Sequence, residues 1–281
     1  MSNLVGGQAV IEGVMMRNGD NIAIAVRKKD GSIKVKKEKY KIAHHSFFKF
    51  PFIRGVVNLV DYTILGIKSL NWSANEAMDD EDETEKLSSW QIFGTILFSL
   101  CFALVLFLLL PLFLTGLLTS SHGFLFNLID GGIRIVIFIL YIYIISLMSD
   151  VKTVFQYHGA EHKSIHCLES GKKLTPENAQ KFPGIHPRCG TTFIGIVLII
   201  SILFFSIVTH PSWFVKFLVR IIFIPVIAGV SFEILQFGAK HIKNKIVKAI
   251  LWPGMMFQKL TVFEPNLKQL EVAIASLKGV L

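Results

Sequence analysis

The chain has 281 residues, 52% of them apolar and only 17% charged, with a mean hydropathy of +0.55. That mixture excludes an ordinary soluble domain and makes the bilayer the expected solvent. The net charge of +9 is also segregated, since no Asp, Glu, Lys or Arg lies between Lys86 and Asp130 or between Arg188 and Lys216. Each gap exceeds the roughly 20 apolar residues that carry a helix across about 30 Å of hydrocarbon.

The first residues, MSNLVGGQAVIEG, lack the basic start and apolar core of a secretory signal, so the membrane helices are expected to target themselves. Three cysteines (Cys101, Cys167, Cys189) without a CxxC pair argue against a disulfide framework. Cys167 and Cys189 stay open as thiolates or metal ligands.

Residues 1–45 read as a small β-containing cytoplasmic unit, with strands at 22–26 (IAIAV) and 32–36 (SIKVK) around a Lys-Lys-Asp-Gly turn. Before them, VGGQAVIEGVMMRNG (5–19) sets Gly6, Gly7 and Gly13 around Gln8 and Glu12 without a P-loop frame. Two readings stay open for it. The glycines either let the backbone approach a ligand or the site helix, which makes Gln8 and Glu12 additional site residues, or form tight turns. The lysine surplus suits anionic lipid headgroups, at about 1 kcal/mol per well-placed charge. No RNA-binding motif accompanies it, so no specific nucleic acid is expected.

Residues 46–78 predict an amphipathic or re-entrant helix, in which Arg54, Asn58, Asp61 and Lys68 recur on one side of an apolar run. An acidic linker (79–89, with DDEDETE at 79–85) lacks the spacing of a calcium-binding hand. Residues 90–149 carry transmembrane helices 1 and 2 (about 90–119 and 131–149). A His-rich helix and loop follow at 150–190, then helices 3 and 4 within 191–237 (about 191–210 and 213–237), and a basic tail at 238–281.

Of 29 Lys and Arg, 13 lie in 1–89, six in 150–190 and seven in 238–281, while the connections at 120–130 and 211–212 hold none. By the positive-inside rule this predicts a multi-pass protein of the cytoplasmic (inner) membrane with both termini and the 150–190 segment cytoplasmic. Arg134, Lys216 and Arg220 fall inside spans, where snorkelling to headgroups is the expected role. The fold class is thus mainly α and polytopic, with about four spans, an amphipathic helix and a small β unit.

The chemistry concentrates in DVKTVFQYHGAEHKSIHCLES, a helical pattern that continues from the second span to a stop at Gly171. At about 100° per residue, His158, Glu161, His162, Ile165, His166 and Glu169 share one stripe, and Cys167 points away. HGAEH matches H-x-x-E-H, in which two histidines one turn apart hold zinc and the glutamate acts as base. His158 and His162 are the expected ligands of a divalent metal, Zn2+ by preference, with Glu161 as catalytic base. The further ligand is expected from His186 or Cys189, in IHPRCG, or from Glu233 in the fourth span; His166 and Glu169 are additional candidates.

GGQAVIEGVMMRN, FIRGVVNLVDYTILGIKSLNWSAN, YHGAEHKSIHCLE, LTPEN and HPRCGTTF, in that order along nearly the whole chain, resemble the YqhQ-like family of bacterial membrane proteins. That family is of unknown function and described as predicted metal-dependent enzymes. The resemblance implies a metal-dependent enzyme without naming a substrate. Two functions are therefore expected to compete: a membrane-embedded zinc-type hydrolase acting at the cytoplasmic face, and a non-catalytic protein that docks a partner in membrane-protein assembly or transport. Membrane lipid is the expected neighbour in both, and oligomeric state is left open.

Overall fold

Alternation along β3 decides the architecture of the N-terminal unit. The computed structural model describes residues 5–40, 50, 53–77, 89–120, 123–207, 210–242 and 244–281, so the acidic linker at 79–85 lies outside the described residues. Strands β1 (Gly6–Val10), β2 (Gly13–Asn18), β3 (Asn21–Arg27) and β4 (Ile33–Lys39) form an antiparallel meander in the order β1-β2-β3-β4. Ile22, Ile24 and Val26 of β3 join Val10 and Met15 on one face, packed on Leu65 and Trp72 of helix α1 (Ile53–Ala77). Ala23 and Ala25 point the other way, as period-two geometry requires, toward α11 (Leu267–Val280). Their small side chains let α11 lie close, and Ser276 Oγ donates to the Ala23 carbonyl at 2.8 Å.

The 5–19 segment is therefore two paired strands rather than a run of turns, with its reversal at Glu12 in a left-handed conformation (φ 48°). The amphipathic helix is α1, and its Arg54 reaches α8 (Trp213–Lys240) to form a two-point ion pair with Glu233 at 2.7 and 2.5 Å.

Among the described residues, four helices are long and apolar enough to cross a bilayer: Phe93–Leu118, Phe124–Ser146, Gly190–Ile207 and Trp213–Lys240. The first comprises α2 (Ser89–Leu104), a π turn (Val105–Leu109) and α3 (Leu110–Leu118). Pro111 explains the wider turn, because its ring excludes the carbonyl four residues back and the helix relaxes around it. The second is α4 (Phe124–Ser146) and the third α7 (Gly190–Ile207). Apolar side chains such as Leu117, Ile207 and Ile222 project outward from these helices, as lipid-facing residues do.

Three expectations need correction. The His-rich helix does not continue α4: the chain breaks at Leu147 and Met148, the latter extended, before α5 (Ser149–Glu169) starts. The second span begins at Phe124 rather than 131, because Asp130 and Arg134 pair with each other inside the bundle and do not end the helix. Residues 238–281 are more than a tail. They form α9 (Lys245–Met256), α10 (Gln258–Thr261) and α11, whose Leu270 and Leu277 are fully buried against the sheet and α5. Each such side chain contributes about 1.5–3 kcal/mol.

Candidate metal centre

The middle of α5 is locked between the N-terminal sheet and the segment after α10. A Cβ on Gly159 would lie 2.1 Å from the Phe263 carbonyl oxygen, so only glycine admits that strand of backbone. The same approach carries the Thr261 carbonyl to His158 Nδ1, at 2.9 Å. One turn on, His162 Nδ1 contacts the Gly184 carbonyl. Carbonyl oxygens only accept, so both Nδ1 atoms carry the hydrogen and both Nε2 atoms keep a lone pair.

Both imidazoles gather with Cys189. His158 Nε2 is 3.2 Å from Cys189 Sγ, and the ligand atoms of His158, His162 and Cys189 all lie within 4.8 Å of one another. The His158 and His162 ring centroids are 4.5 Å apart. Zinc bonds of about 2.0–2.1 Å to nitrogen and 2.3 Å to sulfur put tetrahedral N and S roughly 3.5 Å apart, so the His158–Cys189 separation is within a few tenths of an ångström of that arrangement. Cys189 precedes α7, and its sulfur also accepts the Thr191 N–H at 3.3 Å. The backbone carbonyls behind each imidazole are the outer partners that metal-bound histidines ordinarily have. Donor type, tautomer and spacing therefore fit a divalent ion of the zinc class.

Glu161 lies beside this trio, with Oε2 3.9 Å from His162 Nε2. Burial pushes its carboxyl up to about 7, partly offset by the neighbouring His158, by the Gly7 N–H and by Arg188. Gly7 abuts the Glu161 side chain, where a Cβ would come within 3.1 Å of Cγ. The glycine-rich strand thus approaches the site helix closely, meeting Glu161 through Gly7. Gln8 instead lies against Gly66 of α1. Glu12 accepts a long hydrogen bond (3.3 Å) from the Tyr157 hydroxyl, whose proton burial holds well above the usual phenol range.

His166, Glu169 and His186 form a second group within the same distance limit. His166 Nε2 donates to the Ile185 carbonyl at 3.0 Å. His186 Nδ1 accepts the Arg188 N–H at 3.3 Å, leaving the hydrogen on Nε2, 3.6 Å from Glu169. Hydrogen bonding from His186, with Arg188 beside it, holds Glu169 down to about 2, while burial lowers His186 to about 4. Each ring thus has one nitrogen engaged with the backbone, and Glu169 pairs with Arg188. Glu233 is not brought to either group, because Arg54 takes both of its oxygens.

A family model described as "Protein of unknown function (DUF1385)" matches residues 50–281. The chain belongs to this family. A Bacillus subtilis (strain 168) protein, "Uncharacterized protein YqhQ", is 36% identical over 296 residues, an alignment that covers 98% of this chain and 92% of the relative. No solved structure matches the chain. The DUF1385 region holds every donor of the trio as well as two supports that sequence reasoning missed. Fully buried Gln258 donates to the His186 carbonyl at 2.7 Å and accepts the His186 N–H at 2.9 Å, fixing the loop before Cys189. Thr261 holds His158 through its carbonyl and meets Thr191 Oγ1 at 3.0 Å through its hydroxyl. Gly184 and Ile185 carry the carbonyls that orient His162 and His166, and also line a cleft of about 240 Å³ with Gln258, Val262 and Phe263.

Proposed function

We propose that this DUF1385 protein is a metal-dependent hydrolase of the cytoplasmic membrane, with His158, His162 and Cys189 holding a divalent ion, Zn2+ by donor type, at the cytoplasmic face. The observation that carries the reading is the gathering of the ligand atoms of His158, His162 and Cys189 within 4.8 Å of one another, each imidazole fixed from behind by a carbonyl. A bound ion supplies Lewis acidity and depresses the pKa of water toward ~7. Glu161, titrating near 7, takes one proton from the attacking water onto Oε2 and returns it to the leaving group as the scissile bond breaks. Orientation rests on the positive-inside distribution of Lys and Arg, which puts α5 and both termini on the cytoplasmic side.

One observation favours the second reading, a non-catalytic membrane protein that docks a partner. Glu161, His162 and Cys189 are each no more than 5% exposed, which suits a closed structural site. Elemental analysis of purified protein, set beside complementation of a deletion strain, separates the two. Under the hydrolase reading, Glu161→Gln keeps the metal and loses function, while His162→Ala and Cys189→Ala lose both. Full complementation by Glu161→Gln with bound metal retained leaves a structural ion; wild-type protein without metal rules out the site.

A further inference from the structure

The opposite end of the bundle holds a second concentration of charge that the metal centre does not use. Asp130 and Arg134 are one turn apart on α4, and Lys216 and Arg220 one turn apart on α8, each pair near the start of its span. Snorkelling was the sequence expectation for the cations, yet Arg134, Lys216 and Arg220 are only 5%, 6% and 1% exposed. Asp130 accepts from Arg134 Nη2 and from Arg220 Nη1, both at 2.9 Å, which commits both carboxylate oxygens. Arg220 Nη2 also reaches Asn127 Oδ1 at 3.3 Å.

Three cations thus face one carboxylate, an excess of two positive charges inside the protein. Lys216 has no hydrogen-bond acceptor among the described residues, its Nζ standing 3.4 Å from the Phe126 ring centroid, and Arg134 Nε is buried without a hydrogen-bond partner. A ring face recovers little of the cost of removing an ammonium from water, so a buried surplus of this kind calls for an anion. Lys216, Arg220 and Asn127 line a pocket with Phe205, His210 and Val219 whose free volume is about 10 Å³, room for roughly one oxygen-sized group.

We propose that this pocket binds a phosphate-bearing anion, with one phosphate oxygen seated between Lys216 and Arg220 and the rest of the ligand outside. The small volume and the position near the span ends fit the tethered phosphate of an anionic lipid headgroup. Arg220 supplies direction through its fixed fork and Lys216 supplies charge. The candidate metal centre, on α5 and the loop before α7, shares no residue with this pocket, so the two sites stand or fall separately.

Full-length protein in neutral detergent tests this by titration with phosphatidylglycerol, with a phosphate-free neutral glycolipid and, at constant ionic strength, with inorganic phosphate, while thermal unfolding is followed. Phosphatidylglycerol is expected to raise the midpoint saturably and the glycolipid to leave it unchanged. Lys216→Met is expected to weaken the apparent affinity at least tenfold, and Lys172→Met, on the exposed loop after α5, to leave it as in wild type. Lys216→Gln replaces the methionine variant if that one fails to fold. Saturable stabilisation by inorganic phosphate that Lys216→Met abolishes assigns the pocket to free phosphate. Absence of any shift with either phosphate source, or an undiminished response in both Lys216 variants, overturns the proposal.

Discussion

Glu161 and His186 both neighbour His162, and burial moves their titrations in opposite directions. Glu161 rises to about 7, so in the metal-free protein it penalises the fold only as pH climbs above the ordinary carboxyl value toward 7. His186 falls to about 4, so it penalises the fold as pH drops from about 6.5 to 4, when the unfolded chain takes up a proton that the native one refuses. Each effect amounts to about 3 kcal/mol at most. Between pH 4.5 and 6.5 they oppose, so these two groups together leave stability nearly flat. Denaturation of metal-free variants reveals the components. Relative to wild type, Glu161→Gln is expected to lose stability toward acid, and His186→Gln to gain it. Parallel pH profiles for all three proteins refute the assignment.

At the scale of elements, the site depends on how closely α5 meets the 261–265 segment. Gly159→Ala puts a methyl where the Phe263 carbonyl lies. It is expected to cost about 1–3 kcal/mol and, by moving the Thr261 carbonyl from His158, to weaken metal affinity about 10–100-fold. Gly132→Ala, with nothing within 4 Å of the added atom, is the control that leaves both intact. This contact also marks where sequence reading stopped. The His and Glu stripe was legible because one helix carries it at a fixed period, and so were the spans and the β3–β4 hairpin. Gln258 and Thr261 were not, since single polar residues about a hundred positions away leave no periodic trace. Strands β1 and β2 were hidden by their glycines. Glu233 drew attention as an intramembrane carboxylate, but its partner, Arg54, lies on a helix 179 residues earlier that no local pattern connects to it.

For the whole molecule, the segregated Lys and Arg predict which side each region occupies. Single cysteines in place of the exposed residues Asp30, Lys172 or Lys259 are expected to resist an impermeant thiol reagent in intact cells, and one at exposed Ser120 to react. Labelling at Lys172→Cys in unbroken cells reverses the topology and moves the proposed metal centre to the other side. Packing of α11 on the alanine face of β3 has a consequence for biosynthesis. Ser276 lies 253 residues after the Ala23 carbonyl it caps, so at about 5–20 residues per second the sheet waits roughly 10–50 s for its cover. All four spans emerge from the ribosome during that interval. Membrane insertion therefore precedes completion of the aqueous domain, and a chain stalled before residue 267 presents a half-dressed sheet to whatever quality control patrols the bilayer surface.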